Sequence, residues 1–170
     1  MGKASKAHSL DPQIKNRKAT EQEVLHHFRI VVGAMREHFR TVEAITNVGG
    51  SQLWALSEIM KKPGMKVGEL AEALSIHTST ASNLLDKLEK KELIRRERKD
   101  RDNRTVRLML TEAGTAIVSG APQPHEGLVR NALKNLPENA LLELYRGLEQ
   151  LAAEMKVTDE KTSGIPLADL

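Results

Sequence analysis

Apolar residues recur at three- and four-residue steps through the first part of the chain. Val24, Phe28, Val31, Val32, Met35, Phe39 and Val42 make one stripe, which predicts a long amphipathic helix ending near Asn47, ahead of Gly49-Gly50. Thr20-Glu21-Gln22-Glu23 reads as a capping box that opens it. A small domain does not need a helix this long, so part of its stripe is expected to meet another chain. Ser51 then caps a second helix with Leu53, Leu56, Ile59 and Met60 inward, and Lys61-Lys62-Pro63-Gly64 ends it. Trp54 lies off this stripe. It suits a subunit contact or the wall of a pocket for a small aromatic effector.

The middle of the chain changes period twice. Val67 to Leu74 predicts a short helix with Val67, Leu70, Ala71 and Leu74 inward; Ser75-Ile76-His77 makes a turn. A fourth helix follows from Thr78 to about Lys91, burying Ala81, Leu84, Leu85 and Leu88. At 100° per residue its opposite face carries Ser79, Asn83, Asp86 and Lys90, flanked by Thr80, Ser82 and Lys87. Short polar side chains near the N-terminus can reach base edges, and the lysines beyond can meet phosphate. A strand then starts at Leu93-Ile94 and runs through Lys99. Asp100 to Asn103 turns, and Thr105 to Leu110 returns with Val106, Leu108 and Leu110 alternating. Its charged tip cannot be core. Arg101 and Arg104 suit a narrow minor groove, with Asp100 or Asp102 pairing Arg96 or Arg104 to shape the tip.

Thr111-Glu112 opens a fifth helix, and Gly120 to Pro124 predicts a kink or short break in it. Helical spacing resumes at Leu128, Val129, Ala132, Leu133 and Leu136. Pro137 begins a last helix striped by Leu141, Leu144, Tyr145, Leu148, Leu151, Ala152 and Met155. Residues 1–19 read as a flexible basic arm and residues 157–170 as a flexible tail.

Composition narrows the chemistry. The 170 residues suit one domain, or one domain with a dimerisation extension. Aromatics are 2% of the chain, too few for the stacking platforms of single-strand binders. The absence of cysteine excludes disulfides, thiol redox sensing, Cys-ligated zinc and Cys nucleophiles. Net charge is a mild +3, but Lys90, Lys91, Arg95, Arg96, Arg98, Lys99, Arg101 and Arg104 crowd between Lys87 and Arg107. No apolar run spans a bilayer, and the N-terminus lacks a signal-like segment. A cytoplasmic protein without a membrane partner is expected. The histidines form no metal motif. His38 suits a ligand across a dimer seam or an ordinary satisfied histidine. Nothing resembles a phosphate cradle, a nucleophile elbow or a paired-carboxylate site, so no enzyme, metal or cofactor is expected.

From Thr20 to about Met155 the chain resembles the MarR (multiple antibiotic resistance regulator) family. The matching segments are SQLWAL, VGELAEAL, STASNLLDKLEKKELIRR, Asp102-Asn103-Arg104 and VRLMLTEAG, in that order. The resemblance implies a mainly α fold with a small β wing: a winged helix-turn-helix with N- and C-terminal dimerisation helices. On it, residues 51–110 are the DNA-binding lobe, and residues 20–48 and 111–156 the dimerisation helices. It also implies a homodimer on a near-palindromic double-stranded operator, usually repressing and released by a small, often phenolic, effector. Thr78, Ser79, Thr80, Ser82, Asn83 and Lys87 would then read DNA from the recognition helix. Arg96, Arg98, Arg101, Asp102, Asn103 and Arg104 would do so from the wing, and His38 and Trp54 are effector candidates. Two alternatives remain, a winged-helix protein-interaction scaffold and a non-specific architectural DNA binder. Asp86, Glu89 and Asp102 leave room for the scaffold.

Overall fold

The computed structural model describes residues 17–98, 106–156 and 166. Two compact units divide the chain at Ala34 and Met35. The first contains most of helix α1 (Arg17–Thr46), which is already under way at Arg17. Thr20 therefore lies inside the helix, and the capping box expected at Thr20 to Glu23 is not its start. Val24, Phe28, Val31 and Val32 on this part of α1 are all exposed.

The second unit holds the core. Helix α2 (Gly50–Lys61) begins two residues earlier than expected, with Gly49 rather than Ser51 at the N-cap. Ser51 is consequently buried within the first turn and is not the cap. Leu53, Leu56 and Ile59 are buried as their spacing predicts, but Met60 is 44% exposed, because Ala55 and Ser57 complete the inward face instead. Helix α3 (Val67–Leu74) occupies its expected span. The Lys66 amide donates to the Glu69 carboxylate at 2.6 Å, closing its first turn.

The turn after α3 explains how helix α4 (Thr78–Lys90) is aimed. Ser75 takes the left-handed conformation, φ 56°, and ends α3. Its amide donates to Glu72 O and that of Ile76 to Ala71 O, both at 3.0 Å, which is a Schellman motif. The chain reverses and α4 starts two residues later. Ala81, Leu84, Leu85 and Leu88 are buried, at 6% exposure or less. The three leucines bind α4 to α2 and α3 through a cluster that includes Leu53, Leu70 and Leu74. Each such side chain withdrawn from water contributes about 1.5–3 kcal/mol. The far end repeats the device: Glu92 has φ 57°, and the Leu93 amide donates to Leu88 O at 3.0 Å.

Strands β1 (Ile94–Arg98) and β2 (Val106–Leu110) form an antiparallel hairpin, with Ile94 opposite Leu110 and Arg96 opposite Leu108. Buried Leu108 also bonds the segment before α3. The Gly64 amide donates to Leu108 O at 2.8 Å, and the Leu108 amide to Met65 O at 3.0 Å. The hairpin is therefore anchored on both edges of β2.

Thr111 turns the chain into helix α5 (Glu112–Gly120). Its hydroxyl accepts from the Gly114 amide at 3.1 Å and donates to Glu92 O at 2.8 Å. Of the kink or short break expected at Gly120 to Pro124, the structure shows a break. Residues 121–127 are non-helical before helix α6 (Leu128–Asn135) begins. Helix α7 (Glu138–Glu154) follows, with Pro137 at its N-cap and outside the first turn. Every residue from Leu141 to Met155 is exposed. Among the described residues no helix is long and apolar enough to cross a membrane.

Candidate nucleic-acid interface

Helix α4 presents two chemically opposed faces. Its buried leucines fix its rotation, so Ser79, Asn83, Asp86 and Lys90 are all exposed. Thr78 and Lys87 are exposed as well, and Thr80 and Ser82 are half-buried. The Ser82 hydroxyl donates to Thr78 O at 2.9 Å, so its donor is spent on its own helix. Ser79 and Asn83 remain as the outward short polar pair, one turn apart. Lys87 and Lys90 place cations in the last turn, where they also suit the helix dipole.

The described base of the wing is cationic, and Arg95, Arg96 and Arg107 are engaged. Arg95 donates to Glu97 at 2.6 Å on the same strand. Arg107 donates to Gly64 O at 3.0 Å. Arg96 reaches across to α4, with Nη2 2.7 Å from Asp86 and Nη1 2.8 Å from Glu89. Arg96 therefore pairs with two carboxylates of α4; the expected pairing of Asp100 or Asp102 with Arg96 or Arg104 involves residues outside the described ones. The signal for this lay in the strand alternation, since Arg96 shares a face with Ile94 and Leu108 and so points toward α4. Of the remaining wing residues, Arg98 closes β1. Arg101, Asp102, Asn103 and Arg104 lie outside the described residues, as do Asp100, the arm through residue 16 and most of the tail.

A second feature lies at the other side of α2. A cavity of about 200 Å³ is lined by Phe39, Trp54, Leu74, Ile76, Arg130 and Leu133, among others. Trp54 is part of its wall. The Arg130 guanidinium lies 4.5 Å from the Trp54 ring centre, and the indole N–H donates to Glu58 at 3.2 Å. His38 is not among the lining residues; its Nε2 sits 3.1 Å from Pro124 O. At the cavity edge Glu126 accepts a hydrogen bond from Lys134, which holds its carboxyl below the usual range against the opposing effect of burial. Sequence reading missed Arg130, which the break before α6 swings over Trp54. It also missed buried His125, whose Nδ1 lies 3.2 Å from Ser57 Oγ.

Comparison with known proteins agrees with this architecture. The model described as MarR family matches residues 51–106, which run from α2 to the first residue of β2. The chain is 30% identical over 111 residues to the HTH-type transcriptional repressor MdtR of Bacillus subtilis, covering 65% of this chain and 71% of that protein. It is 27% identical over 92 residues to the uncharacterized HTH-type transcriptional regulator YsmB of the same organism, covering 54% and 63%. Among structures, a MepR-like protein complexed with pseudoligands superposes with a TM-score of 0.55 at 21% identity, covering 80% of this chain and 96% of that one. Streptococcus pneumoniae FabT in complex with DNA gives 0.51 at 20% identity, covering 83% and 98%. At these identities the structural likeness establishes a shared fold.

Proposed function

The chain belongs to the MarR family of transcriptional regulators, and from that premise we propose that it represses transcription as a homodimer bound to a near-palindromic duplex operator. The observation that carries this reading is the outward face of α4. Ser79 and Asn83 stand exposed near the N-terminus of a helix whose opposite face is locked into the core. A helix so held can enter a major groove with short donors and acceptors toward base edges, while Lys87 and Lys90 meet phosphate. MdtR, similar over most of its length, is described as a repressor, and FabT has been crystallised with DNA. Wing residues Arg98, Arg101, Asp102, Asn103 and Arg104 are proposed to contact the adjacent groove. Asp86 and Glu89, which in sequence left room for a protein-binding scaffold, are paired with Arg96.

Homodimerisation is supported by the apolar stripe of α7, exposed in the single chain. Two recognition helices related by a two-fold axis would read half-sites about 10 bp apart. Release by a small aromatic effector is supported by the cavity beside Trp54, whose wall combines aromatic rings with the Arg130 cation. A ligand that fits there would act by favouring one dimer shape over another.

The test is selection from a pool of random duplexes by the full chain, followed by affinity measurement over a range of salt. We expect a palindrome with half-sites one turn apart. Asn83→Ala should weaken binding to it by about 1–3 kcal/mol and relax preference at one position. Lys87→Ala should weaken all duplexes alike and lower the salt slope by about one. Equal binding of every duplex by the wild type would point instead to an architectural DNA binder.

A further inference from the structure

Asp86 poses a physical difficulty for the DNA-binding reading. It projects from the same face of α4 as Ser79 and Asn83, and its side chain is 54% exposed. Glu89, one position from that face, is 41% exposed. Two carboxylates on a surface that approaches phosphates would repel them. Arg96 answers both. Its side chain is only 27% exposed, because its stem lies on the inner face of the hairpin opposite fully buried Leu108. Its two terminal nitrogens divide between Asp86 at 2.7 Å and Glu89 at 2.8 Å, a forked geometry that lysine cannot reproduce. The guanidinium is thus committed inward, between strand and helix.

We propose that Arg96 is a positioning residue for DNA binding: it cancels the Asp86 and Glu89 charge and ties the base of the wing to the recognition helix, without itself touching DNA. This rests on the DNA-binding reading above. The sequence alone places Arg96 with the other wing cations as a phosphate contact. The geometry separates it from them.

The experiment measures binding of the full chain to the duplex that wild type selects from a random pool, over a range of salt. Variants are Arg96→Ala and the triple Arg96→Ala, Asp86→Asn, Glu89→Gln, with folding checked by circular dichroism. We expect Arg96→Ala to weaken binding about tenfold and the triple variant to return to within about threefold of wild type, with the wild-type salt slope. Neutral amides remove the repulsion that the arginine cancelled. A direct phosphate contact would leave the triple variant as weak as Arg96→Ala, with a slope lower by about one, and would overturn the proposal. So would wild-type binding by Arg96→Ala. If wild type itself selects and binds no duplex, the DNA-binding reading falls, and this role with it. Selection by wild type combined with either of the preceding outcomes removes the Arg96 role alone.

Discussion

Gly114 is the position at which the least change would do the most harm. A Cβ built there would lie 2.0 Å from the Leu93 carbonyl oxygen, a backbone atom that cannot swing away. Its amide also donates to the Thr111 hydroxyl, the same hydroxyl that ties α5 to Glu92 at the exit of α4. Gly114→Ala must push α5 off the base of the wing. We expect a loss of about 2–4 kcal/mol, read as a lower urea midpoint, with DNA binding reduced in parallel. Ala113→Gly, on the exposed neighbour, should cost no more than about 1 kcal/mol. The residues of the candidate interface divide on legibility. Ser79, Asn83 and Lys87 were readable because helical periodicity alone sends them to solvent. Arg96 was grouped with the wing's DNA contacts by residue type, and no sequence pattern showed that its ion-pair partners lie seven and ten positions earlier, on another element.

Among the elements, α6 differs most from what periodicity describes. None of its residues is fully buried, so individual side-chain contacts weigh more in its attachment. Arg130 covers Trp54, and Lys134 holds Glu126 just before the helix. The Lys134 hydrogen bond is the main cause of the lowered Glu126 pKa, aided by its charge and that of Lys61 and opposed by desolvation. A carboxyl depressed in the folded state adds stability above its unfolded pKa, near 4.5, and loses it as pH falls through the lower folded value. Acidification below about pH 4.5 should therefore loosen α6 in wild type. Amide hydrogen exchange across α6 should quicken in that range, whereas Glu126→Gln should show fast exchange already at neutral pH and little further change. Equal acid sensitivity in both proteins would show that the tether does not hold the helix.

At the scale of the molecule, the exposed apolar surface is the largest unanswered feature of the single chain. Along α7, Leu141, Leu144, Tyr145, Leu148 and Leu151 are each at least 40% exposed. A continuous stripe of that kind implies association, proposed above to be with a second copy. Leu144→Asp with Leu148→Asp should convert a dimer to monomers in sedimentation equilibrium and weaken operator binding by at least tenfold, since two half-sites would no longer be held together. The core of the second unit should survive, because no α7 residue belongs to it. A dimer unaffected by both aspartates would place the subunit contact elsewhere.

Local periodicity was enough to determine the order of the elements, the span of α3 and the buried face of α4. Each depends only on which side chains leave water along one helix or strand. The family was legible for the same reason, because its motifs are contiguous runs within those elements. Tertiary structure alone decided the start of α2, where packing draws Ser51 inside, and the exposure of Met60, whose place Ala55 and Ser57 take. It also decided that the chain after Gly120 breaks fully, which brings Arg130 onto Trp54. And it decided that Arg96 spends its charge on α4. Such outcomes depend on contacts between residues far apart in the chain, and no one-dimensional pattern encodes which distant partner a charge or a ring will meet.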